Sequence, residues 1–114
     1  MRIRRARQIL KCLADDTRLR IVNLLNREQL NVTELGAIIG KRQPNLSKHL
    51  ARLRLTGVVT DRREGLNVYY YLRKPDGKTH RELLNSIVIG LAGLKTFKED
   101  IKKLKKIKSR RKKA

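Results

Sequence analysis

The chain has 114 residues, with thirty Lys and Arg against ten Asp and Glu, a net charge of +20. That length fits one domain, or one domain with an extension, and a charge this high makes a polyanionic partner the natural expectation, since the free protein repels itself. The single cysteine, Cys12, excludes an internal disulfide framework and a CxxC metal knuckle, and no apolar run approaches the ~20 residues that a membrane span needs.

The start, Met1-Arg2-Ile3-Arg4-Arg5-Ala6-Arg7, has the charge of a secretion signal, but Gln8, Lys11, Asp15 and Asp16 prevent an apolar segment after it. A cytoplasmic, nucleoid-associated protein is the expectation. Residues 95–114 hold eleven basic and two acidic side chains, net +9, so the other 94 residues carry +11 by themselves.

Residues 3–14 read as a helix, with Ile3, Ala6, Ile9, Leu10 and Leu13 on one side. Asp15 stands where an N-cap belongs and Asp16 adds negative charge to the first turn of a helix over about 16–26. Leu19, Ile21, Val22, Leu24 and Leu25 make that helix the central packing element. Asn31-Val32-Thr33-Glu34 has the spacing of a capping box. It opens a third helix over 33–39, which Gly40 closes.

The next stretch, Arg42-Gln43-Pro44-Asn45-Leu46-Ser47-Lys48-His49-Leu50-Ala51-Arg52-Leu53, reads as a short helix with two faces. Leu46, Leu50 and Leu53 form an apolar stripe, and Pro44 suits the first turn. Pro44, Ser47, Lys48, Ala51 and Arg52 turn away from the stripe, with Asn45 beside them and no carboxylate among them. Slim residues admit a helix to the major groove, amides and hydroxyls read base edges, and cations meet phosphate. Two helices joined across a glycine turn have helix-turn-helix spacing.

Gly57 ends the second helix of the pair. Residues 58–63 and 68–72 are β-branched or aromatic runs around Gly65, hence a hairpin. Val68, Tyr70 and Leu72 share one face, Tyr69 and Tyr71 the other. Lys74-Pro75-Asp76-Gly77 reads as a turn. A helix from about 79 to 91 and a second from about 94 follow, the second striped by Phe97, Ile101, Leu104 and Ile107. From Ser109 a disordered basic tail is expected. The chain thus divides into 1–94, a DNA-binding domain, and 95–114, a basic amphipathic helix and tail.

The order of elements is mainly α (α+β): a winged helix-turn-helix with extra helices at both ends and one β-hairpin wing. Leu13-Ala14-Asp15-Asp16-Thr17-Arg18-Leu19-Arg20-Ile21, Gln43-Pro44-Asn45-Leu46-Ser47-Lys48-His49-Leu50, Leu53-Arg54-Leu55-Thr56-Gly57-Val58-Val59, and Arg62-Arg63-Glu64-Gly65 with Val68-Tyr69-Tyr70 resemble the ArsR family of arsenical- and metal-responsive repressors. The resemblance covers roughly 9–73. It implies a homodimer joined through the first and last helices, bound to an inverted-repeat operator on double-stranded DNA, usually as a repressor. Leu83, Leu84, Ile87, Val88 and Leu91 would form much of the dimer seam, with Ile9 of the first helix.

The sequence departs from that family at three places. The thiolate metal triplet, Cys-Val-Cys, is Asn31-Val32-Thr33 here, and neither Asn nor Thr is a soft ligand. The terminal-helix zinc site is met only by Asp76, His80 and Glu82, too few for a dedicated site. The residue after the wing glycine is Leu66, where Arg is common. The expectation is a regulator with no metal and no cofactor.

The expected DNA contacts are Arg42, Gln43, Asn45, Ser47, Lys48, His49, Arg52, Arg62 and Arg63. Gln43 and Asn45 can pair bidentately with adenine and Lys48 can reach guanine, although Gln43 could be a helix cap only. Arg52 reads as a phosphate anchor, His49 as a packed or phosphate-touching residue, and the tyrosines as strand packing rather than base stacking. Cys12 reads as a small packed side chain, with a redox switch as the alternative. The 95–114 segment reads as a sequence-independent DNA arm; solvated charge and a membrane-surface helix are its alternatives. A weakly specific architectural nucleic-acid protein is the competing function. An enzyme lacks support: no nucleophile–base pair, metal cluster or phosphate-binding glycine loop is present.

Overall fold

The computed structural model describes residues 2–73 and 78–113. The order is α1 (Ile3–Leu13), α2 (Asp16–Leu25), α3 (Val32–Ile39), α4 (Gln43–Leu55), β1 (Val59–Glu64), β2 (Asn67–Leu72), α5 (Lys78–Leu91) and α6 (Lys95–Lys113). The turn expected at 74–77 lies outside the described residues.

Local chemistry sets the helix starts. Asp15 is extended and its carboxylate accepts from the Arg18 N–H at 3.0 Å, which begins α2. Asn31 and Glu34 form the reciprocal capping box at 2.8 and 3.0 Å and begin α3. The turn between α3 and α4 needs two glycines. Gly40 is left-handed, with φ +77°, and its N–H donates to the Gly36 carbonyl at 2.8 Å. At Gly36 a β-carbon would meet the Lys41 carbonyl at 3.1 Å, so a bare α-carbon lets the turn fold closely against α3.

The centre of the fold is α2, which packs against α1, α3, α4, α6 and β2. Ile21, Val22, Leu24 and Leu25 are buried there against Leu35 and Ile38 of α3 and Leu46, Leu50 and Leu53 of α4. Each fully buried Leu or Ile contributes about 1.5–3 kcal/mol in this setting. The antiparallel hairpin pairs Val59 with Leu72 through Glu64 with Asn67. Leu30 adds an isolated bridge to Tyr70, with N–H···O bonds of 2.8 and 3.2 Å, so the wing is fastened to the segment before α3.

The chain's last third breaks near Gly93, as the sequence suggests, but its end differs from expectation. Helix α6 runs through Lys113 where a disordered tail is expected from Ser109, and it docks on α2 and α3. Phe97 and Leu104 are buried. Asp100, 1% exposed, accepts both Nε and Nη2 of Arg20 at 2.9 Å. That hydrogen bond, outweighing burial and helped by the carboxylate's charge, raises the Arg20 pKa above its ordinary value. Lys103 donates to the Ile38 carbonyl at 3.3 Å and Lys108 pairs with Glu28 at 3.3 Å. Arg111 reaches both carboxylate oxygens of Glu34, which likewise raises its pKa against the effect of burial. The physical reason for the difference is that the partners of α6, Arg20 on α2, Glu34 and Ile38 on α3 and Glu28 between those helices, lie far back in the chain, 80 residues away for Arg20 and 77 for Glu34. Among the described residues no helix is long and apolar enough to cross a membrane.

Candidate nucleic-acid interface

Helix α4 divides as its sequence requires. Leu46, Leu50 and Leu53 are buried, and Gln43, Pro44, Asn45, Ser47, Lys48, Ala51 and Arg52 are exposed on the other side. Arg42 is the N-cap residue, also exposed, and makes no side-chain capping bond. Gln43 is the first helical residue rather than the cap, so its amide is left to face outward. The leucines fix the rotation of the helix, and the rotation aims the amides, hydroxyl and cations together.

Two contacts tie α4 to the start of α2. His49 is half-buried, and its Nδ1 lies 3.1 Å from Arg18 Nη1 and 3.6 Å from Asp15 Oδ2. An arginine only donates, so the neutral ring accepts at Nδ1 and carries its proton on Nε2. Arg18 Nε also donates to the Cys12 carbonyl at 2.5 Å, which joins the end of α1 to the same cluster. At Asp15, burial pushes the carboxyl pKa up. The backbone N–H groups of Arg18 and Thr17 and the charge of Arg18 outweigh it and hold the value below the ordinary aspartate range. Cys12 is buried, with Sγ 3.9 Å from the Arg52 carbonyl, so it packs as a small apolar side chain.

The wing separates two arginines that the sequence presents as equals. Arg62 donates to Gln29 Oε1 and to Glu64 Oε2, both at 2.5 Å, and its guanidinium lies 4.9 Å from the Tyr69 ring centre. Arg111 of α6 covers the same ring at 5.7 Å. Arg62 thus serves the junction of wing and α6. Arg63 is exposed and sits on the other face of the strand, the face on which Asp61 pairs with Arg54 of α4 at 2.7 Å. Strand alternation could have told the two apart. Leu66 projects fully from the wing tip. Tyr70 and Leu72 pack on the core.

Sequence reasoning passed over three further cations, Arg54 near the end of α4 and Arg5 and Lys11 of α1 beside it. Arg54 borders the groove between α4 and the wing, which Ser47, Leu50, Ala51, Leu55 and Tyr70 complete. Arg5 and Lys11 of α1 line a second concavity with Arg52. The unused clue was the absence of any carboxylate in α1 beside its basic residues.

The residues expected at the dimer seam fall into two groups. Ile9, Leu84 and Val88 are buried within the protomer, while Leu83, Ile87 and Leu91 are half-buried. The large apolar side chains left outside on the same elements are Ile3, Leu10 and Ile89, with Leu94 just beyond α5. At the position of the thiolate triplet, Asn31 is engaged in capping α3. Among the described residues no group of three or more His, Cys, Asp or Glu could hold a metal ion. Asp76 and the His80 side chain lie outside the described residues, and Glu82 is exposed.

Residues 15–61 match the model of a family described as bacterial regulatory protein, arsR family. An arsenic resistance transcriptional regulator of Pseudomonas putida is 51% identical over 65 residues, which are 56% of this chain and 51% of that protein. The chain therefore spans about half the length of that relative. The transcriptional activator HlyU of Vibrio cholerae is 38% identical over 79 residues, 69% of this chain and 73% of HlyU. The structure of reduced HlyU superposes with a TM-score of 0.67 at 32% identity, over 80% of this chain and 88% of that one. A homodimeric winged helix-turn-helix DNA-binding domain from Mycobacterium bovis matches with a TM-score of 0.65 at 26% identity, over 82% and 84%. The winged helix-turn-helix is the fold of this chain, and the chain belongs to the arsR family of bacterial regulatory proteins.

Proposed function

We propose that the protein is a homodimeric, sequence-specific DNA-binding transcription regulator that represses by occupying a promoter. The observation that carries this reading is the exposed face of α4, where Gln43, Asn45, Ser47 and Lys48 point outward without a carboxylate. The family is regulatory rather than enzymatic. Gln43, Asn45 and Lys48 read base edges, and Ser47 serves base or phosphate. Arg42, His49, Arg52 and Arg63 meet phosphate, while Arg62 holds the wing. The M. bovis relative is a homodimer. Here α1 and α5 pair across a two-fold axis through Ile3, Leu10 and Ile89, with Leu83, Ile87 and Leu91 at the edges. Two recognition helices then enter successive major grooves about 34–36 Å apart. With Asn31 and Thr33 at the thiolate positions, control is independent of soft metals. The protein works in the cytoplasm, on the nucleoid.

The test is selection of bound duplexes from a random library at near-physiological salt, using the full chain. Truncation at residue 94 is unsuitable because it would strip Phe97 and Leu104 from the core. Enrichment of an inverted repeat that Gln43→Ala/Asn45→Ala abolishes supports the regulator. The charge of +20 favours a second reading, a weakly specific architectural protein. That reading expects no enriched site and tight binding only at low salt.

A further inference from the structure

The outer face of α6 has no role in the reading above. Opposite the buried Phe97, Asp100 and Leu104, the helix presents Lys98, Lys102, Lys105 and Lys106 on one exposed strip, with Arg110 at its edge. The strip is about 18 Å long at 1.5 Å per residue. None of the five makes an ion pair or side-chain hydrogen bond with another described residue. Of the two acids of α6, Asp100 is buried on Arg20, and Glu99, on the exposed side, lies 4.0 Å from Lys95.

Three observations set this strip apart from an ordinary solvated helix face. It carries like charges four residues apart, 98 with 102 and 102 with 106, which work against the helix, and the one exposed carboxylate on that face, Glu99, offsets the repulsion only in part. It is held on a rigid support, since Asp100, Lys103, Lys108 and Arg111 bind the other side of the helix to α2, α3 and the segment between them. And its C-terminal end is fixed beside the wing, where Arg111 and Arg62 both lie over Tyr69.

We propose that this face of α6 is a second DNA-binding surface, which takes the sugar-phosphate backbone of the duplex flanking the operator on the far side of the wing. The proposal rests on the DNA-binding reading of α4. A duplex carries one charge per ~1.7 Å of axis, so an 18 Å strip faces about five base pairs of backbone. The contact is blind to sequence, because lysines reach phosphates, and the single hydroxyl among them, Ser109, can add one more phosphate bond. It lengthens the footprint and adds to affinity without altering site preference.

The experiment compares the full chain with Lys98→Gln/Lys102→Gln/Lys105→Gln/Lys106→Gln on two duplexes sharing one centre, about 20 and 40 base pairs long. Gln matches Lys in helix propensity, and a thermal melt checks that the fold is intact. Affinity is measured across a range of salt. The expected result is a steeper salt slope for the wild type on the long duplex than on the short one. The variant should lose that difference, with the slope falling by about 0.9 for each phosphate contact removed. Equal wild-type and variant slopes on the long duplex would overturn the proposal while leaving the role of α4 standing. Failure of the wild type to bind either duplex would overturn the reading of α4 and this proposal together.

Discussion

Replacing Leu104 by Ala asks whether α6 is part of the fold or an appendage. Leu104 is 1% exposed and lies on the side of α6 that packs against α2 and α3. Withdrawing its side chain from water contributes about 1.5–3 kcal/mol. The cavity left by truncation raises the loss to about 2–5 kcal/mol, because the rigid surroundings close over it only in part. Against a domain stability of about 5–15 kcal/mol, that is a large fraction. For a urea dependence of about 2 kcal/mol per molar, the unfolding midpoint falls by roughly 1–2.5 M. The assay is equilibrium urea unfolding followed by far-UV circular dichroism, at one protein concentration because dimerisation couples to stability. Lys105→Ala, at the exposed neighbouring position, serves as the control. If Leu104→Ala stays within about 0.5 kcal/mol of that control, the level of an ordinary surface change, then α6 does not hold this position and the reasoning fails.

Two further outcomes follow from the local chemistry. The Asp15 carboxyl pKa is lowered in the folded state, so its contribution to stability is full above the ordinary aspartate value and is lost as pH falls through the lowered one. Asp15→Asn keeps a good capping side chain. The stability difference between wild type and this variant should therefore be present at neutral pH and vanish in acid; a difference that persists unchanged in acid would refute the charge contribution. At Gly40, φ is +77° and no atom lies within 4 Å of an added β-carbon, so Gly40→Ala meets only the left-handed backbone penalty. A loss of about 1–2 kcal/mol is expected from thermal melts, and no loss would contradict the turn geometry.

Much of this molecule is legible in its sequence because the decisive groups are close together in the chain. Asp15 caps α2 three residues from its donor, and Asn31 and Glu34 cap α3 across the same interval. The spacing of Leu46, Leu50 and Leu53 determines which side of α4 is buried, and hence which side is offered to DNA. What sequence reading missed depends on partners far away in the chain. The ties of α6 are Arg20 to Asp100 and Glu34 to Arg111, separated by 80 and 77 residues. A run of eleven basic residues in twenty reads as a DNA arm, an amphipathic helix ending in a disordered tail, because composition does not record that Glu28 and Glu34 line up beneath its end. The same limit applied to Arg62, whose engagement by Gln29 is visible only once the wing is placed against the start of α3.

The two cationic surfaces are joined through α2, and its spacing explains how. Arg18 and Arg20 are two residues apart, about 200° around a helix turning 100° per residue, so they leave α2 on opposite sides. Arg18 turns toward the end of α1 and His49 of the recognition helix, and Arg20 toward Asp100 of α6. One buried helix therefore sets the position of both, from the same two turns. Base contacts specify only when phosphate contacts hold the protein in register. A phosphate surface on a flexible tail would add affinity at many registers alike, whereas one fixed to α2 adds it only when the duplex already lies correctly across α4 and the wing. Rigid docking of α6 thus lets a sequence-blind contact reinforce a chosen site instead of competing with it.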